Sequence, residues 1–356
     1  MIYNFSAGPA VLPKAVLEIA QSNLLNYNNS GMSVMEMSHR SSSYLDIHQK
    51  TITLLKELMS VPDDYDILFL QGGASLQFHI VPLNIGTKNK IGFIDTGIWS
   101  QKAISEAKKL NKEVSILASS QDSNYQSIPS ISLDYNLTDL DYIHITTNNT
   151  IEGTAFNKIP QIDKVRLVAD MSSNILSNHY EITDFDLIYA GAQKNIGPAG
   201  VTVVIIKKEL LIEDNNLSPM LSFYQQSQSN SLYNTPPTFS IYMMSLVLEW
   251  LQDFGGIKAM TLYNEEKAAL LYNYLDNSKL FFSPVNPDDR SIMNIPFLTN
   301  NEETDTAFIN FATKKGLVNL KGYRTIGGMR ASLYNAMPKE GIISLVDTLH
   351  AFEKQL

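Results

Sequence analysis

The 356-residue chain contains no cysteine and two tryptophans, and arginine is scarce, with five against twenty-two lysines. Without cysteine there is no disulfide scaffold, no thiolate zinc or iron–sulfur site and no thiol nucleophile. Basic residues are outnumbered, 27 to 36, for a net charge of −9, which argues against a broad nucleic-acid-binding face. No apolar run approaches the ~20 residues of a membrane span, and the start, Met1 to Phe5, lacks the pattern of a signal peptide. A cytoplasmic location is the expectation. Neither G-x-x-x-x-G-K-[ST] nor G-x-G-x-x-G occurs, so a nucleotide reading has no support. Six histidines show no metal-ligand spacing, and no metal is expected. In a lysine-biased chain, each of Arg40, Arg166, Arg290, Arg324 and Arg330 raises the question of why it is not lysine.

Short apolar runs alternate with helical stretches. Residues 66–70, 91–94, 142–146, 165–169, 187–190 and 201–206 read as buried strands, and 45–59, 99–110 and 240–254 as helices. That alternation predicts an α/β fold with a mostly parallel sheet covered by helices on both faces. Residues 234–238 (NTPPT) form a helix-incompatible bend. Beyond about Thr261, a long helix, strand-like pieces at 292–297 and 331–334 and a final helix predict a smaller α+β unit. The expected division is 1–260 and 261–356, with the N-terminal segment free to pack on the smaller part.

In parallel sheets, ligands bind beyond the carboxyl ends of the strands. Four junctions there carry polar residues. Gln71-Gly-Gly-Ala-Ser75 combines glycines with a helix start, which suits a phosphate, though a tight turn reads the same way. Asp170 follows an apolar strand, as an N-cap residue also does. Lys194 sits among Gly, Ala and Pro between two apolar strands, where a partly buried amine would have a lowered pKa and could form a Schiff base. An ordinary loop lysine fits that segment equally well. Thr146 to Thr150 offers hydroxyl and amide groups common in turns. Trp99, after another strand, is either a stacking partner or a core residue. Together, an amine, an acid, an anion cradle and an aromatic face match the needs of pyridoxal phosphate.

These segments identify the chain as similar to the phosphoserine aminotransferases, within the class V, aspartate-aminotransferase-like fold type I group of pyridoxal phosphate enzymes. The resemblance runs nearly end to end: Asn4-Phe-Ser-Ala-Gly-Pro9, Met37-Ser-His-Arg40, Gln71 to Phe78, Gly97-Ile-Trp-Ser100, Ala169 to Ser173, Tyr189 to Gly200, Asn234 to Phe239, Gly327 to Ser332 and Tyr334 to Pro338. It implies a large domain with a mixed, mostly parallel sheet and a smaller α+β C-terminal domain. Lys194 would hold the cofactor covalently and serve as base, and Asp170 would pair with the ring nitrogen. Trp99 would stack on the ring, with Thr150 on its phenolic oxygen. Ala74, Ser75 and Gln193 would contact the phosphate, joined by Asn234 and Thr235 from the other subunit of a homodimer. Arg330 would take the α-carboxylate, while His39 and Arg40, lent by the neighbouring subunit, would take the distal carboxylate or phosphate with Arg324.

The implied reaction moves the amino group of L-glutamate to 3-phosphohydroxypyruvate, giving phosphoserine and 2-oxoglutarate. Relatives are also expected to serve a phosphorylated four-carbon keto acid in pyridoxine synthesis. Two positions depart from the family pattern, Tyr323 for histidine and Ser75 for arginine, each removing a cation from the phosphate pocket. The competing readings are an alanine–glyoxylate type of aminotransferase and a non-catalytic pyridoxal phosphate-binding protein.

Overall fold

The computed structural model describes residues 1–131, 137–162 and 164–355. In chain order the elements are β1 (Tyr3–Asn4), α1 (Lys14–Asn23), α2 (Ser42–Met59), β2 (Tyr65–Leu70), α3 (Gly73–Ile85), β3 (Lys90–Asp95), α4 (Ile98–Lys109), β4 (Glu113–Ser119), β5 (Tyr142–Thr146), β6 (Arg166–Asp170), β7 (Leu187–Gly191) and β8 (Thr202–Lys207). Then follow α5 (Phe223–Gln228), α6 (Thr238–Asp253), α7 (Gly256–Leu275), β9 (Asn294–Phe297), α8 (Glu302–Lys314), β10 (Leu317–Val318), β11 (Met329–Ser332) and α9 (Lys339–Glu353).

Seven strands form one sheet in the order β2-β8-β7-β6-β5-β3-β4. All pairings among β7, β6, β5, β3 and β4 are parallel, and only β8 runs against its neighbours, β7 and β2. Its reversal follows from chain length, because residues 192–201 are too few to carry a crossover back to a parallel strand. Along β8, Val203 and Ile205 pack into one apolar cluster with α2 and α6, while Val204 and Ile206 pack into another with α3 and α4. β7 divides likewise, Ile188 and Ala190 to one side, Leu187 and Tyr189 to the other. Burial on both faces explains why these strands read as unbroken apolar runs; each such aliphatic side chain contributes roughly 1.5–3 kcal/mol.

The six expected strands match β2, β3, β5, β6, β7 and β8 to within a residue or so at each end. β4 is not foreseen in the sequence. It is the last strand of the sheet, and its residues mix exposed and buried, with Ile116 42% exposed, so no apolar run marks it.

A second core forms around α7, α8, α9, β9 and β11. Phe5 packs into it, and β1 pairs in parallel with β10. α7 spans both cores, with Met260 in the first and Ala268, Leu271 and Leu275 in the second. No helix among the described residues is long and apolar enough to cross a membrane.

Candidate active site

The carboxyl ends of β2, β3, β5, β6 and β7 open onto one cavity of about 340 Å3. Its lining includes Ala74, Ser75, Trp99, Thr150, Asp170, Gln193, Lys194 and Arg330, so eight of the residues singled out from the sequence meet there.

Each is carried by a local feature. After β2, Gly72 takes φ +88° and Gly73 φ +64°, turning the chain into α3 with its amino end at the cavity. The first-turn N–H groups of a helix have no acceptor within it, and they favour an anion. A Cβ on Gly72 would also meet Leu76 at 2.5 Å, so both conformation and space require glycine. After β7, residues 192–201 close on themselves through Ala192 N–H to Val201 O and Ile196 N–H to Ala192 O. Lys194 projects from that closed loop. Ala10 N–H donates to Gln193 O, and Gly8 lies against the Lys194 stem, which brings the N-terminal segment into the wall.

Lys194 Nζ donates to Thr150 Oγ1 at 2.8 Å and stands 5.5 Å from the centre of the Trp99 ring. Burial lowers its pKa to about 8; the Asp170 charge opposes that shift and Arg330 adds to it. Asp170, last residue of β6, is 5% exposed, and its Oδ1 accepts from Ser172 N–H at 2.9 Å. Burial raises its pKa, while Lys194 and the Ser172 hydrogen bonds pull the other way. Arg330 Nη1 donates to Thr150 O at 3.4 Å, and its Nε is buried with no partner. Burial lowers the Arg330 pKa. Trp99 Nε1 is likewise buried and unpartnered.

This donor set fits pyridoxal phosphate: a primary amine with a lowered pKa, a buried carboxylate facing the same space, an aromatic ring and a helix amino end. The orphaned Arg330 Nε is a further group that a bound anion can satisfy.

The remaining singled-out residues lie elsewhere. Thr235 Oγ1 and His39 Nδ1 are 3.2 Å apart, which joins two distant segments outside this cavity. Arg40 is exposed beside His39, and Asn234 lines a separate pocket of about 100 Å3. Arg324 lines a neighbouring cleft of about 780 Å3 with Lys321, Glu302 and Glu303, and Tyr323 borders both spaces. Arg290 makes a two-bonded ion pair with Asp276, at 2.7 and 2.6 Å, above the Tyr272 ring.

Some lining residues carry no role in the sequence reading. Ala7 and Gly8 line the cavity from the N-terminal segment, and the Ser172 hydroxyl accepts from Gly191 N–H at 3.2 Å; only their place in the Asn4–Pro9 and Ala169–Ser173 motifs marks them. Among the described residues, no group of three or more His, Asp or Glu is placed to hold a metal ion.

Residues 2–345 match the family described as Aminotransferase class-V. A phosphoserine aminotransferase of Bacillus cereus is 57% identical over 356 residues, covering 99% of this chain and 98% of its own length. Among solved structures, the phosphoserine aminotransferase of Bacillus circulans subsp. alkalophilus is 43% identical with TM-score 0.96, covering 100% of this chain and 99% of its own. A phosphoserine aminotransferase of Trichomonas vaginalis, described as bound to PLP, is 36% identical with TM-score 0.93, covering 98% and 100%. The chain therefore belongs to the class V aminotransferases, and within them to the phosphoserine aminotransferase family.

Proposed function

We propose that this chain transfers the amino group of L-glutamate to 3-phosphohydroxypyruvate with pyridoxal phosphate as cofactor, yielding 3-phospho-L-serine and 2-oxoglutarate. The observation that carries this reading is the meeting of Lys194, Asp170, Thr150, Trp99 and Arg330 around one cavity. When bound, pyridoxal phosphate supplies an aldehyde for amines and an electron-accepting ring beside the substrate Cα.

The chain's own groups do the rest. Lys194 Nζ, held at Thr150 and already shifted toward its neutral form, would remove the Cα proton of the donor in one half-reaction and deliver a proton to the acceptor Cα in the other. Asp170 would pair its carboxylate with the ring nitrogen and compensate its positive charge. Trp99 covers the ring face, and the amino end of α3, with Ala74, Ser75 and Gln193, receives the phosphate. Arg330 grips the α-carboxylate through its planar guanidinium, a geometry lysine cannot supply.

His39, Arg40, Asn234 and Thr235 complete this arrangement from a second copy of the chain, so the working form is a homodimer. Their place outside the cavity of their own chain supports that assignment. Arg324 reaches the distal anion from the neighbouring cleft, with Tyr323 as a hydroxyl donor. The same two-anion site accommodates the phosphorylated four-carbon keto acid of pyridoxine synthesis. We also propose a division near residue 260, supported by the separate core around α8, α9, β9 and β11.

The test is half-transamination read by absorbance. Glutamate should bleach the yellow form of the protein, and 3-phosphohydroxypyruvate should restore it, whereas pyruvate and glyoxylate should not. Restoration by glyoxylate alone would favour the alanine–glyoxylate reading. A protein that takes up no cofactor, or keeps its yellow band after Lys194→Ala, would end the proposal.

A further inference from the structure

The turn after β5 touches the segments that carry Trp99, Lys194 and Arg330. Asn149 Oδ1 accepts from Thr96 Oγ1 at 3.1 Å, Thr150 meets Lys194 and Arg330, and Glu152 Oε1 accepts from Ile98 N–H at 2.8 Å. Ile98 is the first residue of α4, and Trp99 is the next. Glu152 is 5% exposed, and its Oε2 is buried with no partner. Its carboxyl is seated directly on Gly97, where an added Cβ would lie 2.4 Å from Glu152 Cδ. Gly97 at φ +152° lies in the region that favours glycine, so backbone shape and free space both make room for this carboxyl. Burial raises the Glu152 pKa, and Arg330 opposes the rise.

We infer that Glu152 is a positioning residue, pinning the helix that bears Trp99 to the turn that bears Thr150 and so fixing the spacing between the ring-stacking and Lys194-facing walls. A buried carboxylate oxygen on a helix amino end is a strong, directional tie. Removing it leaves Ile98 N–H without its partner and a void against Gly97, and both free the α4 amino end to shift. This inference rests on the proposed cofactor site only for its second readout.

The test uses the full chain carrying Trp250→Phe, which leaves Trp99 as the single tryptophan. Glu152→Ala should shift Trp99 emission to the red before any cofactor is added, and should weaken pyridoxal phosphate binding about tenfold. Glu152→Gln keeps an oxygen acceptor for Ile98 and should keep the parent emission. If Glu152→Ala does not fold, Glu152→Asp, a methylene short of Ile98, carries the same comparison. Unchanged emission in the Ala or Asp variant overturns the inference, as does an equal shift in Glu152→Gln, which would assign the effect to charge. A parent chain that binds no cofactor defeats the proposed function, while its emission still tests the pin.

Discussion

Lys194, Asp170, Thr150 and Trp99 are held by strand ends of a single sheet, each within a few residues of a buried apolar run, whereas His39, Arg40, Asn234 and Thr235 stand on connecting segments outside that cavity. In the first group Lys194 donates to Thr150 and faces the Trp99 ring, and all four side chains are buried or half-buried. Of the second, Arg40 and Thr235 are exposed, and the His39–Thr235 contact ties its two segments together. The contrast teaches where preorganisation comes from. A group that must sit in a fixed place against a cofactor is carried by the rigid edge of a sheet, while groups offered to a second copy can stand on outward-facing segments.

A large effect is expected at Arg330, which faces the rigid wall from β11. Arg330→Lys should raise KM for glutamate about 100-fold with a smaller change in kcat, because a bidentate grip becomes a single point contact. Steady-state kinetics check this, and an equal loss in kcat and kcat/KM would place Arg330 in the chemical step instead.

A smaller effect concerns Lys194. Its pKa is lowered from 10.5 to about 8, so the amine is protonated below that pH and free to attack an aldehyde above it. Capture of pyridoxal phosphate by the cofactor-free chain should therefore rise with pH and reach half its maximum near 8. Asp170→Asn removes the charge that holds the proton on and should move that midpoint down. A wild-type midpoint near 10.5 would show that the wall does not tune its lysine.

The smallest effect lies outside both groups. Arg290→Lys loses the two-bonded pair with Asp276 and the seat over Tyr272, which should cost about 1 kcal/mol of stability in denaturant titration. The kinetic constants should stay at wild-type values, since Arg290 does not line the Lys194 cavity.

Much of the rigid wall is legible in the sequence because its residues directly follow apolar runs that can only be strands buried on both faces. Lys194, Asp170 and Trp99 each take their meaning from that position, and the structure brings them together as the junction argument expects. Glu152 is not legible in this way. It looks like one acid among thirty-six acidic residues until folding sets it against Gly97 and Ile98, fifty-odd residues earlier in the chain. Ala7 and Gly8 escape for the same reason, since nothing near them in sequence says that the N-terminal segment returns to Gln193 and Lys194. β4 escapes because its residues mix exposed and buried positions, so no continuous apolar run marks it. Arg324 reads as a partner of Arg330 six residues away, yet the loop between them places the two in adjacent spaces, with Tyr323 on the border.

The central claim is that each complete site joins the rigid wall of one chain to outward-facing residues of another. Subunit mixing tests it most directly. Lys194→Ala and Arg40→Ala chains, each poorly active alone, are unfolded together, refolded and assayed. The account predicts recovery to about a quarter of wild-type activity, because half of the random dimers are mixed and each of these holds one intact site. Activity no higher than the mean of the two parent variants would contradict it.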